Sequence, residues 1–207
     1  MSLVIFDTEY TTWQGCLEHG WKDKQKKEIV QIAALKVSDD LNVLDEFNIL
    51  CKPTINPVLS DYFINLTHID NNMINKHGIL FSEAYRMFID FVGTDICYSH
   101  AWGADFYNKS DGLVMEENLA LYKIAESNNI TYRNIAAVFA KLYQDHNMHI
   151  KSQCSGQIAQ ILGIEKNLTK LGLDIHNALY DVYSILEGLK YFYPKSMDTL
   201  KDLENIA

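Results

Sequence analysis

The sequence predicts an α/β protein with a mixed central sheet flanked by helices. Three apolar runs of strand length lie in the first quarter of the chain, and mostly helical patterns follow. One more short apolar run interrupts the helical part and predicts another strand. Strands followed by helices that cover them are typical of a two- or three-layer α/β domain.

The first three strands are expected at residues 3–7, 29–37 and 43–51. Each is rich in aliphatic or aromatic residues and is bounded by polar ones, as buried strands are. The sequence Ser38-Asp39-Asp40 separates the second from the third, and these residue types favour a tight turn. We therefore expect the early strands to pair in antiparallel fashion.

The rest of the chain is expected to be mostly helical. Ser82 is a plausible N-cap for the first helix, since its hydroxyl can accept a backbone hydrogen bond there. A strand is expected at residues 96–98, between that helix and the later ones. The predicted helices are residues 82–91, 115–127, 132–145, 153–162 and 177–193.

Composition excludes several classes of protein. No apolar stretch approaches the length of a membrane span, and the N-terminus lacks the pattern of a signal peptide. The four cysteines are far apart, without the spacing of a zinc site or a disulfide framework. We therefore expect a cytoplasmic protein with no membrane partner.

The net charge of −9 argues against a protein that wraps long nucleic acid, although it allows one that grips a short end. Positive charge is concentrated at Lys22, Lys24, Lys26 and Lys27, which surround Asp23 and give a local charge of +4 − 1 = +3. Such a cluster is most often a solvated loop. It lies close in sequence, however, to the first pair of acidic residues.

Asp7 and Glu9 form that pair, at the end of the first predicted strand. Residues two apart on a strand project from the same face, so their carboxylates are expected side by side. Like charges in a buried place repel each other unless a cation or a shared proton lies between them. The spacing therefore indicates a possible metal site, although an acidic strand end alone is common.

Two later stretches strengthen the metal interpretation. Asp105 follows the fourth predicted strand, and Asp181 lies in the first turns of the last helix. Strand ends and helix starts often meet at one edge of a sheet, where α/β proteins place their sites. Five helical residues turn through about 500°, so His176 can face the same site as Asp181 only from the loop before the helix. Asn177 is then a reasonable N-cap.

The motifs FDTE, HAWGAD and HNALYD, in this order, resemble those of the DEDDh 3′→5′ exonucleases. The resemblance implies a ribonuclease H-like fold in a single exonuclease domain, residues 1–207, with its motif core at about 3–190. It also implies that Asp7, Glu9, Asp105 and Asp181 bind two divalent cations, Mg²⁺ or Mn²⁺. His176 corresponds to the general base, and Glu9 also faces the terminal hydroxyl.

The stretch from Lys52 to Ile69 resembles one in the histone-mRNA and RNA-interference-related exoribonucleases. The resemblance implies that Leu66 and Thr67 pack against the terminal nucleotide, and that His68 stands where the family usually has glycine. Thr8 belongs to the same expected substrate site. Tyr10 and Trp13 are candidate stacking platforms for bases; packing in the core is the alternative for both.

The expected function is metal-dependent removal of nucleotides from the 3′ ends of single-stranded nucleic acid, RNA before DNA, releasing nucleoside 5′-monophosphates. An oligoribonuclease or a DNA-trimming exonuclease is the alternative among enzymes. A catalytically inactive nucleic-acid-binding module is the alternative from another class. The complete set of acids with a histidine favours catalysis, since binding alone would not require all five.

Overall fold

The structure is a computed structural model that describes residues 2–22, 24–102, 110–125, 130–150 and 153–193. Its centre is a six-stranded sheet in the order β4-β3-β2-β1-β5-β6. The strands are β1 (Ser2–Tyr10), β2 (Ile29–Ser38), β3 (Val43–Lys52), β4 (Ile79–Leu80), β5 (Cys97–Ser99) and β6 (Tyr132–Asn134). The first three pair in antiparallel fashion, whereas the β1–β5, β5–β6 and β3–β4 pairs are parallel. The sheet is therefore mixed, as predicted.

Helices cover both faces of the sheet. They are α1 (Cys16–His19), α2 (Asp61–Thr67), α3 (Asn71–His77), α4 (Phe81–Val92), α5 (Asp111–Leu121), α6 (Ala136–Asp145), α7 (Gln157–Ile161) and α8 (Ala178–Phe192), with a 3₁₀ helix at Glu165–Leu171. None of the described helices is long and apolar enough to cross a membrane.

Strand β1 is apolar along nearly its whole length because it is buried on both faces. Leu3 and Ile5 pack in the core cluster that contains residues of α6 and α8. Val4 and Phe6 point the other way, into the cluster that contains residues of α4 and α5. Two apolar cores thus hold the strand in place, and its polar residues emerge at its carboxyl end.

The predicted helix at residues 132–145 was wrong at its beginning. Tyr132 pairs with Cys97 as part of the short edge strand β6, and α6 begins only at Ala136. Pairing with a neighbouring strand is a tertiary interaction that local helix-favouring residues do not reveal. Helix α4 begins at Phe81 with Leu80 at its N-cap position, so Ser82 does not cap it.

Candidate active site

Three carboxylates meet at the carboxyl end of β1. Asp7 and Glu9 project there from the strand, and Asp181 reaches the same place from the first turn of α8. One oxygen of each carboxylate lies within 4.8 Å of the corresponding oxygens of the other two. Asp7 and Asp181 are buried and Glu9 is partly buried. Hard oxygen ligands at this spacing suit a divalent cation such as Mg²⁺ or Mn²⁺.

The electrostatics of these acids favour a cation as well. Burial is the main cause that raises the pKa of Asp7 well above its ordinary value, and neighbouring acids, Asp111 first, raise it further. Burial also raises the pKa values of Glu9 and Asp181. A bound cation would reverse this effect, because it stabilises the ionised forms. The donor set and its charge therefore fit a divalent metal.

Asp111, the first residue of α5, is a further acid that lines the same cavity, and the sequence analysis missed it. Its Oδ1 accepts hydrogen bonds from the Thr8 backbone N–H at 3.2 Å and from the Thr8 hydroxyl at 2.6 Å. The hydroxyl of Ser110 donates to its Oδ2 at 3.0 Å. A Cβ at Gly112 would collide with the Tyr132 side chain, so this glycine lets the start of α5 lie close to β6. The adjacent residues Asp111 and Gly112 are the sequence feature from which this acid at the start of α5 could have been predicted.

Asp105, the predicted acid of the second motif, lies outside the described residues. Its assignment as a metal ligand stays a prediction. The helix that was expected to begin at residue 115 begins instead at Asp111, six residues after Asp105. Asp105 and Asp111 are thus two candidates for one role, and only Asp111 belongs to the described residues.

A turn before α7 supports the acids from the side. The Ser155 hydroxyl lies 2.8 Å from Asp181 Oδ2 and 3.2 Å from Asp7 Oδ1, and so links the two carboxylates. The backbone N–H of Gly156 also donates to Asp181 and helps to lower its pKa. A Cβ on Gly156 would collide with the Asp181 carboxylate. Glycine at this position therefore lets the chain approach the acid closely enough to bond to it.

His176 lies in the loop directly before α8, and Asn177 caps that helix by accepting a hydrogen bond from the Leu179 N–H. Both were predicted. The backbone N–H of His176 donates to Asp181 Oδ1 at 3.3 Å, and its backbone has a φ of 68°, which is unusual for a non-glycine residue. Burial lowers the pKa of the imidazole, and Asp174 opposes this effect. Strained backbone of this kind occurs most often at functional sites.

The acids and His176 line one cavity of about 400 Å³. Of the predicted substrate-binding residues, Thr8, Tyr10 and Leu66 also line it. The described wall does not include Trp13, Thr67 or His68. Lys27, from the lysine cluster that the sequence analysis identified, lines the cavity as well. The other described residues of the wall are Thr12, His100, Ala101, Ser110, Leu113, Val114, Cys154 and Ser155.

The residues outside the cavity wall have other contacts. The Thr67 hydroxyl donates to the Phe63 carbonyl oxygen at 3.0 Å and accepts from the Ile69 N–H at 3.1 Å, so it stabilises the end of α2. Trp13 is half-buried in the loop after β1, and the aromatic residue whose ring contacts Tyr10 is Trp21. The predicted substrate roles of Thr67 and Trp13 stay predictions.

His68 is exposed and follows the last residue of α2 in the left-handed conformation, with a φ of 59°. Glycine adopts this conformation at no steric cost, which explains why it is usual here. We expect His68→Gly to raise the free energy of unfolding by about 1 kcal/mol, measured by urea denaturation. The same change at Asn65, an exposed helical residue of α2, should destabilise the protein. Equal effects at the two positions would contradict this explanation.

Comparison with known proteins identifies the family of the chain. The sequence profile of the exonuclease family matches residues 4–189. A curated relative, 3′-5′ exonuclease eri1 of Schizosaccharomyces pombe (strain 972), is 32% identical over 88 residues, which are 42% of this chain and 28% of the relative. The match thus spans less than a third of that relative's length.

Solved structures share the fold at low sequence identity. The nuclease domain of 3′hExo, a DEDDh family member bound to rAMP, is 20% identical with a TM-score of 0.65, over 93% of this chain and 92% of that one. Exonuclease I of E. coli in complex with a dA16 oligonucleotide is 15% identical with a TM-score of 0.67, over 99% of this chain and 42% of that one. These likenesses confirm the predicted ribonuclease H-like fold. Because the profile spans most of the chain, the protein belongs to the exonuclease family.

Proposed function

We propose that this protein hydrolyses phosphodiester bonds at the 3′ end of single-stranded nucleic acid, RNA in preference to DNA. Its products would be nucleoside 5′-monophosphates, and its cofactors two divalent cations, Mg²⁺ or Mn²⁺. One observation carries the proposal: oxygens of Asp7, Glu9 and Asp181 lie within 4.8 Å of one another in a cavity that His176 also lines. Family membership supports the same activity.

Asp7, Glu9 and Asp181 would hold the cations. Two divalent cations about 3.5–4 Å apart supply stabilisation of the charge on the attacking and leaving oxygens of an in-line displacement. Asp7 is central among the acids, because Asp111, Asp181 and Glu9 all raise its pKa. This position favours it as the ligand shared between the cations. Glu9, which is less buried than Asp7, would also face the terminal hydroxyl.

We propose Asp111, rather than Asp105, as the fourth acid. Asp111 is close enough to raise the pKa values of both Asp7 and Glu9, and it lines the same cavity. Both of its oxygens accept hydrogen bonds, which fixes the orientation of the carboxylate. Oriented acids of this kind are typical of metal sites.

His176 would take the proton of the attacking water. Because burial lowers its pKa, the imidazole is neutral near pH 7 and able to accept a proton. Its place on a loop, next to the helix that carries Asp181, keeps it near the acids without requiring it as a ligand. Its contribution to the rate would be that of a positioned general base.

The substrate would enter over Leu66 and Tyr10, which line the same cavity as the acids. The preference for RNA rests on the resemblance of residues 52–69 to the exoribonucleases, and on the fold shared with a nuclease domain bound to rAMP. The fold shared with an exonuclease in complex with a dA16 oligonucleotide keeps DNA as the second candidate.

Digestion of matched 5′-labelled RNA and DNA, single- and double-stranded, with Mg²⁺ or Mn²⁺ tests the proposal. We expect a ladder that shortens stepwise from the 3′ end, faster on single-stranded RNA, with mononucleotides as products. A 3′-phosphate should block the reaction, because the acids would then face a second anionic group in place of a hydroxyl.

Two results would overturn the proposal. Efficient cutting of circular single strands would indicate an endonuclease. Binding of the oligonucleotides without hydrolysis, together with no metal binding that Asp7→Asn removes, would indicate an inactive binding module.

A further inference from the structure

We propose that Lys22, Lys24, Lys26 and Lys27, here called the lysine loop, bind phosphates of the substrate strand upstream of its terminal nucleotide. The inference rests on the proposed exonuclease function and extends it, because it says where the remainder of a single strand lies. The ligand class is the phosphodiester backbone, which RNA and DNA share.

Lys27 connects the loop to the active-site cavity. It is the only lysine or arginine among the described residues that line the cavity. Its Nζ lies 4.9 Å from the centre of the Trp21 ring and 5.3 Å from that of Tyr10, and 3.1 Å from Glu117 Oε2. The pair with Glu117 is partly exposed, and such pairs contribute little free energy. A phosphate can therefore replace Glu117 as the partner of Lys27 at small cost.

The backbone of the loop is fixed by hydrogen bonds. Asn118 of α5 donates to the Lys27 carbonyl oxygen at 3.0 Å, and the Thr11 hydroxyl donates to that of Lys26 at 2.6 Å. Asn56 accepts from the Lys26 N–H at 2.9 Å and donates to the Lys24 carbonyl oxygen at 3.0 Å. A loop held in this way loses less conformational freedom when it binds a ligand.

Three ammonium groups of the loop are available to a ligand. Lys22, Lys24 and Lys26 are exposed, and none forms an ion pair with a residue in the described parts of the chain. The chain as a whole carries a net charge of −9 and would repel a polyanion. A local positive patch beside the cavity gives a strand a favourable approach that the rest of the surface does not.

A polar group in the cavity wall points to the same ligand. Thr12 is 6% exposed, and its Oγ1 has no hydrogen-bond partner within the described structure. Buried polar groups almost always have a partner, so an unpaired hydroxyl in a cavity wall suits a ligand that accepts hydrogen bonds. Phosphate oxygens are such acceptors. Thr12 and Lys27 line the same cavity, and Lys27 continues into the loop.

The test is fluorescence anisotropy with labelled single-stranded oligonucleotides, one RNA and one DNA, in EDTA so that no hydrolysis occurs. The test variant carries Lys22→Gln, Lys24→Gln and Lys26→Gln. The control variant carries Lys76→Gln, Lys166→Gln and Lys170→Gln, which remove the same charge from exposed lysines outside the cavity wall. Each Kd is measured over a range of salt concentrations.

We expect the test variant to raise Kd by roughly 10- to 100-fold at about 0.1 M salt, equally for RNA and DNA. The slope of log Kd against log salt should fall by about 2, since each phosphate contact on a single strand contributes about 0.7. Equal losses in the test and control variants, an unchanged slope, or no binding by the wild type would overturn the inference. Strand binding that depends on the lysine loop, without hydrolysis in Mg²⁺ or Mn²⁺, would reject the proposed function alone.

Discussion

Replacing Asp7 with asparagine is expected to abolish hydrolysis and, at the same time, to stabilise the protein after its metal has been removed. The rate should fall by roughly 10³-fold or more, because a shared ligand contributes several kcal/mol through the cations. Asparagine keeps the shape of the side chain but lacks its charge. The two effects have opposite signs, which a merely structural aspartate would not produce.

The stabilisation follows from the raised pKa of Asp7. The unfolded chain ionises this group near its ordinary pKa of about 3.9, whereas the folded protein holds the proton to a higher pH. The contribution of Asp7 to the stability of the metal-free protein therefore falls as pH rises through that window, and the loss is complete above the raised pKa. We therefore expect Asp7→Asn to raise the free energy of unfolding of the metal-free protein at neutral pH.

Denaturant unfolding in EDTA, from acidic to neutral pH, measures this effect beside single-turnover rates in saturating Mn²⁺. Asp90→Asn is the matched control, since Asp90 is an exposed acid of α4 that does not line the cavity. The control should leave both quantities nearly unchanged. A wild-type rate for Asp7→Asn, or a loss of stability at neutral pH without metal, would contradict the assignment.

The same rate measurement decides between the two candidates for the fourth acid. If Asp111 is the ligand, Asp111→Asn should resemble Asp7→Asn in rate, and Asp105→Asn should stay near the wild type. The reverse result would restore the assignment that the motif HAWGAD predicts. Asparagine can still accept the Thr8 hydrogen bonds at position 111, so a large loss there reports charge rather than misfolding.

Sequence periodicity predicts some residues of this site and not others. The Asp7–Glu9 pair and the histidine before α8 could be predicted because strand and helix periodicities fix which residues share a face. The choice between Asp105 and Asp111 depends on the residue at which the loop ends and α5 begins. Local periodicity does not determine that residue. Gly112 decides it through a tertiary contact with Tyr132, a residue twenty positions away on β6.

The same distinction holds for the fold: elements with a long sequence pattern were predicted, and two short edge strands were not. The second and third strands and the final helix were predicted to within one residue at each end, because long apolar runs identify buried elements. The first strand, predicted at residues 3–7, continues to Tyr10 through polar residues that the apolar run does not include. The edge strands β4 and β6 were missed, since two or three residues carry too little pattern. Ser155 was missed for a related reason: its bonds to Asp7 and Asp181 join residues far apart in the chain.

Removing the imidazole of His176 is expected to lower the rate of the chemical step by roughly 10²–10⁴-fold while leaving metal binding nearly unchanged. The wild-type rate should rise with pH as the imidazole loses its proton. Carboxylates nearby would raise its pKa, but burial is the larger effect and lowers it. The rising limb should therefore lie below the ordinary histidine pKa of about 6.5. His176→Ala should abolish that limb.

The strained backbone at this residue provides a second, independent variant. At a φ of 68°, glycine is unstrained and alanine is not, so His176→Gly should be more stable than His176→Ala by about 1 kcal/mol. The rate of hydrolysis should fall by the same factor in both variants, because neither has a general base. His77→Ala, at an exposed position at the end of α3, controls for loss of a histidine elsewhere.

Single-turnover rates against pH for the wild type and these three variants, beside their thermal stabilities, separate catalysis from structure. A general base gives a rate that depends on the imidazole and a stability that depends on the backbone conformation. A structural histidine would link the two, so that the more stable glycine variant would also be the more active one. Full activity in His176→Ala, with an unchanged pH profile, would remove this residue from the mechanism and leave the proton to another acceptor in the cavity.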